Sequence, residues 1–196
     1  MPTGVALRDV REHLFAAADR VLLRAGPSGL TSRAVTAEAD VAKGVLHRHF
    51  TDFDDFLAAF VQDRAHRMDS QATALLNAAG TGTVPDNVTA ALEAVFTSVA
   101  VAIVPLITFR DELRARLRDT WPAGVPVLTE AATMLADYLA EEQGRGRLTK
   151  SAQVDLLAPT LIGTTHLLYA DRTGPRPTTE ALHRSVAAVL AEVLTK

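Results

Sequence analysis

The run richest in binding chemistry is Ala42-Lys43-Gly44-Val45-Leu46-His47-Arg48-His49, which interleaves cations, small residues and one large aliphatic side chain. Lys43 and Arg48 can meet phosphates or guanine edges, Gly44 lets a backbone approach its partner closely, and Val45 can touch a thymine methyl. At about 100° per residue, Leu46 and Phe50 share one face of a helix. The opposite face carries Gly44 and Arg48, flanked by Val45 and His47, with Lys43 at the N-terminal tip. Such a helix packs inward by one face and reads a DNA groove by the other. Thr31, Ser32 and Arg33 begin the preceding segment, where free amides and hydroxyls suit a phosphate. A metal is not expected, because His47 and His49 stand about 200° apart on a helix and lack a ligand set. Nothing calls for a cofactor either.

Two short helices, 32–39 and 42–49, must position these groups, with a turn at Asp40-Val41 between them. Isolated helices below about 12 to 15 residues are marginal, so neighbours must clamp them. Val35, Ala39, Val41, Leu46 and Phe50 supply the apolar contacts. The first helix, 7–24, presents Leu7, Val10, Leu14, Ala17, Ala18 and Val21 at helical spacing and stops at Gly26-Pro27. Thr51 or Asp52 can cap a longer helix over 53–77, with Asp54 and Asp55 favouring its positive end. Residues 78–86, with two glycines and Pro85, read as a loop. Further helices are expected over 88–104, 105–118, 125–143, 151–171 and 178–194.

The remaining composition narrows the class. Apolar residues make up 48% and charged residues 22% of the 196, ordinary values for a globular protein. No cysteine is present, which removes disulfides and thiolate chemistry. Strand signals are nearly absent, so the expectation is all-α. The most apolar run, 99–107, is far short of the roughly 20 residues needed to cross a bilayer, and no signal peptide is visible. A cytoplasmic protein without a membrane partner follows as the expectation. No phosphate-cradling glycine loop, nucleophile elbow or metal-binding histidine pair marks an enzyme. The net charge is −3, yet residues 1–50 carry seven lysines and arginines against five carboxylates. The basic side of that balance is where a nucleic-acid head would need it.

Taken whole, Val41-Ala42-Lys43-Gly44-Val45-Leu46-His47-Arg48-His49-Phe50, following a threonine-capped helix with an alanine-rich end, resembles the tetracycline-repressor (TetR) family of regulators. The resemblance covers about residues 14–57. Asp40 stands where that family usually has a turn glycine, and His47 where it has tyrosine. Phe53 stands where a phosphate-binding lysine is common. Asp52, Asp54 and Asp55 surround it, which implies a weaker grip on DNA.

The resemblance implies a helix-turn-helix domain over 1–52 and a helical regulatory and dimerisation domain over 53–196. It further implies a repressor that binds a palindromic operator as a homodimer and is released by a small-molecule effector. The dimer would form through helices near 151–171 and 178–194. Two apolar stripes support that placement: Leu156, Leu157, Thr160, Leu161, Thr164, Leu167 and Leu168, with Gly163 allowing close approach, and Leu182, Val186, Val189, Leu190 and Val193. Effector contacts are expected among Phe96, Phe109, Arg110, Trp121, Met134, Tyr138, His166 and Tyr169. Most have a plainer alternative: the aromatics as core, His166 as a satisfied interface or core histidine, and Arg110 as partner of a carboxylate such as Asp111 or Glu112. A helical adaptor that has lost DNA binding is the competing reading of the whole chain.

Overall fold

The apolar periodicity builds helices throughout. The computed structural model describes residues 7–170 and 174–195, and among them are eleven α-helices and no strand. In order they are α1 (Leu7–Gly29), α2 (Ser32–Glu38), α3 (Gly44–His49), α4 (Phe53–His66), α5 (Met68–Asn77) and α6 (Val84–Thr97). There follow α7 (Ala100–Thr108), α8 (Asp111–Leu117), α9 (Leu128–Gly144), α10 (Val154–Leu168) and α11 (Thr179–Leu190). The all-α expectation therefore holds. The expected end of a helix at 171 lies outside the described residues.

By packing the chain falls into two compact units. One comprises residues up to Asp63 together with Ala102–Val125, the other Arg64–Val101 together with the chain from Pro126 onward. In the first unit, α1 buries Leu14, Phe15, Ala17, Ala18, Val21 and Leu22. The ring centroid of Phe15 lies within 6.1 Å of those of Phe50, Phe56 and Phe60, so a cluster of tilted aromatic rings ties α1 to α4 and to the end of α3. Helix α1 breaks where Gly26-Pro27 predicts, because Gly26 takes φ 69° and ψ −177°, a conformation that L side chains rarely adopt.

In the second unit, α9 packs on α5 and α10, while α11 packs on α6 and α10. Their shared core takes Val88, Leu92, Val95 and Phe96 from α6 and Met134, Leu135 and Leu139 from α9. It also takes Leu161 and Ile162 from α10 and Leu182, Val186 and Leu190 from α11. Three of the five residues of the expected α11 interface stripe thus lie in the core of their own chain. A stripe at helical spacing shows that a face is covered; it does not show by what.

Several helices are shorter than periodicity suggests. The span 88–104 breaks at Ser98, whose ψ is −177° and whose Oγ and N–H both bond the Val95 carbonyl, so the side chain competes with the helical ladder. The span 53–77 divides at Arg67. Pro105 lies within α7 instead of opening a new helix, and α8 begins after Arg110, which is extended at φ −129°. Helix α11 ends at Leu190 because the last residues turn and bond Arg147 and Thr149, with an isolated bridge between Leu148 and Leu194.

Candidate nucleic-acid interface

The turn between α2 and α3 decides where the candidate residues point. Thr31 caps α2, its Oγ1 accepting from the Ala34 N–H at 3.1 Å. At the other end Asp40 adopts φ 51°. The Val41 N–H bonds the Thr36 carbonyl at 3.0 Å and the Asp40 N–H bonds that of Ala37 at 3.2 Å. This pair of bonds is the Schellman ending, which requires one left-handed residue just past the helix. Glycine is the usual occupant; aspartate is among the few others that tolerate the conformation. The chain therefore makes the same turn without the glycine.

Two polar ties fix α2 on α1. The Glu38 carboxylate takes Arg20 Nε at 2.7 Å and Arg24 Nη2 at 2.8 Å, and these arginines hold its carboxyl below the ordinary glutamate range. His13 Nε2 lies 2.7 Å from the Ala39 carbonyl oxygen.

Helix α3 has six residues and gives the interior only Leu46, which is fully buried. Phe50 closes it, 4% exposed, with its ring edge-on to Phe56 at 5.1 Å and the Arg11 guanidinium 4.5 Å from its centroid. Ala42, Lys43, Gly44, His47 and Arg48 are exposed, while Val45 and His49 are half-buried. Thr31 and Arg33 are exposed at the start of α2 and Ser32 is half-buried. A Cβ built on Gly44 would meet nothing within 4 Å. Packing inside the chain therefore places no demand on glycine there, and the free space faces outward.

Just beyond α3 the acidic stretch is organised by folding. Asp52 caps α4, its Oδ1 accepting from the Asp55 N–H at 2.8 Å, and Asp55 Oδ2 accepts from the Thr51 N–H at 2.8 Å. Two cations from the other part of the unit cover these acids. Arg116 Nη2 is 2.6 Å from Asp52 Oδ2, and Arg110 Nη1 is 3.1 Å from Asp54 Oδ1 with its guanidinium 5.5 Å from the Phe53 ring centroid. The Asp55 N–H first, and Arg116 after it, hold the Asp52 carboxyl below the ordinary aspartate range. Arg110 thus does not pair with Asp111 or Glu112; its partner is Asp54, 56 residues away. Sequence reasoning missed Arg116 altogether, because no local pattern links residues 64 apart.

The eight candidate effector residues divide between the two units. Phe109, Arg110 and Trp121 belong to the first unit, and the other five to the second. Phe109 is 83% exposed. Phe96, His166 and Tyr169 come together, with ring centroids 6.3 and 5.5 Å from Phe96. Met134 is buried. Tyr138 is fully buried and donates to Glu142 Oε1 at 2.6 Å while accepting from Asn87 Nδ2 at 3.0 Å. Burial and the neighbouring Glu142 push its phenol far above the usual range. Glu142, itself fully buried, also accepts from the Gly80 N–H at 3.3 Å and Arg147 Nη1 at 3.4 Å. Arg147 Nη2 holds the Gly82 carbonyl at 2.6 Å. This network ties the loop between α5 and α6 to α9. No cluster of three or more potential metal-binding His, Asp or Glu residues occurs among the described residues.

Residues 14–60 match the model of the bacterial regulatory proteins of the tetR family. No curated protein matches the chain. Among solved structures, the reduced form of NemR from E. coli superposes with a TM-score of 0.75 at 20% identity, covering 95% of this chain and 98% of that one. A tetR-family transcriptional regulator of Rhodococcus sp. gives 0.71 at 19% identity, over 96% and 100% of the two chains. A tetR regulator from Haloarcula marismortui gives 0.71 at 15% identity, again over 96% and 100%. At such identities the likeness speaks to the fold, and the chain spans nearly the full length of each.

Proposed function

We propose, from the match of residues 14–60 to the model of the bacterial regulatory proteins of the tetR family, that the chain is a ligand-responsive transcriptional repressor that binds a palindromic DNA operator as a homodimer. The observation that carries this reading is the division of α3: Leu46 alone turns inward, while Lys43, Gly44, His47 and Arg48 face out across a surface on which Gly44 leaves free space. A helix so divided is suited to a major groove, with Lys43 and Arg48 on phosphates or guanine edges and Thr31, Ser32 and Arg33 on the backbone. In this reading 1–52 is the DNA-binding part and 53–196 the regulatory part, although 102–125 packs within the first compact unit. Its work lies in the cytoplasm, where DNA is reached. No single helix among the described residues is long and apolar enough to cross a membrane.

The dimer forms through the outer face of α10. Leu156, 57% exposed, and Leu167, 77% exposed, stand on it with Thr160 and Gly163 between them, at spacings of four, three and four residues. A Cβ on Gly163 would meet nothing within 4 Å, so a second helix can approach there. A two-fold axis through such an interface duplicates α3 and calls for a palindromic site. The effector acts from the second unit, near Phe96, His166 and Tyr169, and releases DNA by binding the DNA-incompetent state more tightly than the competent one.

Selection from a random duplex pool followed by gel-shift titration tests the proposal. The expected outcome is an inverted repeat bound with steep salt dependence, with Lys43→Ala and Arg48→Ala each weakening binding and lowering the salt slope by about one. Unchanged affinity in both variants, or no enriched sequence, favours the adaptor reading instead.

A further inference from the structure

The acids after α3 face two demands. Folding uses them, since Asp52 and Asp55 satisfy amides at the start of α4. DNA binding opposes them: Asp52 is three residues past His49, so at most about 11 Å of chain separates them. The Debye length is about 8 Å at physiological salt and grows as salt is lowered, so a bare carboxylate there repels phosphate through partial screening, most strongly at low salt. In this structure both Asp52 and Asp54 are covered by arginines from 102–125. Resting on the DNA-binding reading above, we propose that Arg110 and Arg116 are positioning residues for DNA binding. They cancel the charges of Asp54 and Asp52 beside α3, and the grip on DNA depends on that cancellation.

Three observations support this. The pairs are partly exposed, with side-chain exposures of 33% and 30% for Arg110 and Asp54 and 40% and 47% for Arg116 and Asp52. Pairs of that kind contribute little to stability, so their main consequence is the local charge. Second, Arg110 is held twice, on the Asp54 carboxylate and over the Phe53 ring, which fixes its charge in place. Third, the segment bearing both arginines joins the second unit at each end, at 101/102 and 125/126. A displacement of this segment from residues 52–54 would uncover both carboxylates beside α3.

Non-specific duplex binding tests this without a known operator. The full chain is titrated against a labelled duplex of about 30 random base pairs at about 50 mM salt, with thermal melting as the check on folding. One carboxylate and one phosphate 10 Å apart in water account for about a twofold change in affinity before screening, and duplex DNA carries about one phosphate per 1.7 Å of its axis, so each acid acts on more than one. Arg116→Gln and Arg110→Gln are therefore expected to weaken binding by about three- to tenfold each. Arg116→Lys, which keeps the charge, should stay within about twofold. Asp52→Asn, which keeps a capping oxygen, should tighten binding, and Asp52→Asn with Arg116→Gln should return to the wild-type affinity. A double variant as weak as Arg116→Gln alone overturns the proposal, because Arg116 would then be gripping DNA directly. So does Arg116→Lys as weak as Arg116→Gln, which would mark a purely structural bond. Wild-type binding with all variants unchanged overturns this inference only; a wild-type chain that binds no duplex overturns the DNA reading with it.

Discussion

Replacing Leu46 by alanine tests whether α3 is held by a single anchor. Leu46 is fully exposed to the core and 0% exposed to water, and no other residue of α3 is buried. The substitution removes three buried carbons, about 2.4 kcal/mol of transfer free energy at roughly 0.8 kcal/mol each. A residual cavity brings the loss to about 3 kcal/mol. A six-residue helix has no stability of its own to offset this, so the loss should appear as local opening of residues 42–50. Opening would rise about a hundredfold. Hydrogen-exchange mass spectrometry checks it: amides of residues 44–50 should lose protection by about that factor, while those of α9 keep theirs. DNA affinity should fall in parallel. Leu46→Met, nearly equal in volume, should cost less than about 1.5 kcal/mol. If protection across 44–50 is unchanged in Leu46→Ala, then α3 is held by something other than this side chain and the single-anchor argument is wrong.

Leu167→Asp, on the exposed face of α10, should turn the proposed dimer into a folded monomer on analytical ultracentrifugation; a dimer of unchanged affinity would place the interface elsewhere. Glu142→Gln should destabilise the second unit by about 3 kcal/mol in urea, because an amide cannot accept from Tyr138, Gly80 and Arg147 together without turning its own donors on them. A loss below about 1 kcal/mol would show that the network relaxes freely. Acid should loosen α2 from α1: the Glu38 carboxyl titrates below its ordinary value, so its stabilising effect is complete above that ordinary value and is lost as pH falls through the folded one. Glu38→Gln should flatten this part of the acid-melting curve, and an identical curve would refute the assignment.

Most of the first fifty residues' structure was legible in the sequence because its signals are local. Thr31 as a cap, Gly26-Pro27 as a stop, Leu46 and Phe50 on one face and a left-handed residue at Asp40 all depend on neighbours within four positions. Helix lengths were less legible. Ser98 stops α6 through a side-chain bond to Val95 that periodicity does not register, and Arg67 divides a span that reads as continuous. The burial of single aromatics was the least legible, since aromatic type alone does not separate a ring in a core, such as Tyr138, from one at a surface, such as Phe109.

By itself, then, the sequence determined an all-helical chain, a helix-turn-helix in its first fifty residues and the outward face of α3, because dihedral preferences, caps and apolar spacing act over one or two turns. Tertiary structure alone decided what covers each face. It put Leu182, Val186 and Leu190 into the core of their own chain and left Leu156 and Leu167 outside. It also set Arg110 and Arg116 on acids 56 and 64 residues away. Burial and charge pairing depend on distance in space, and that distance is set only when the whole chain has packed.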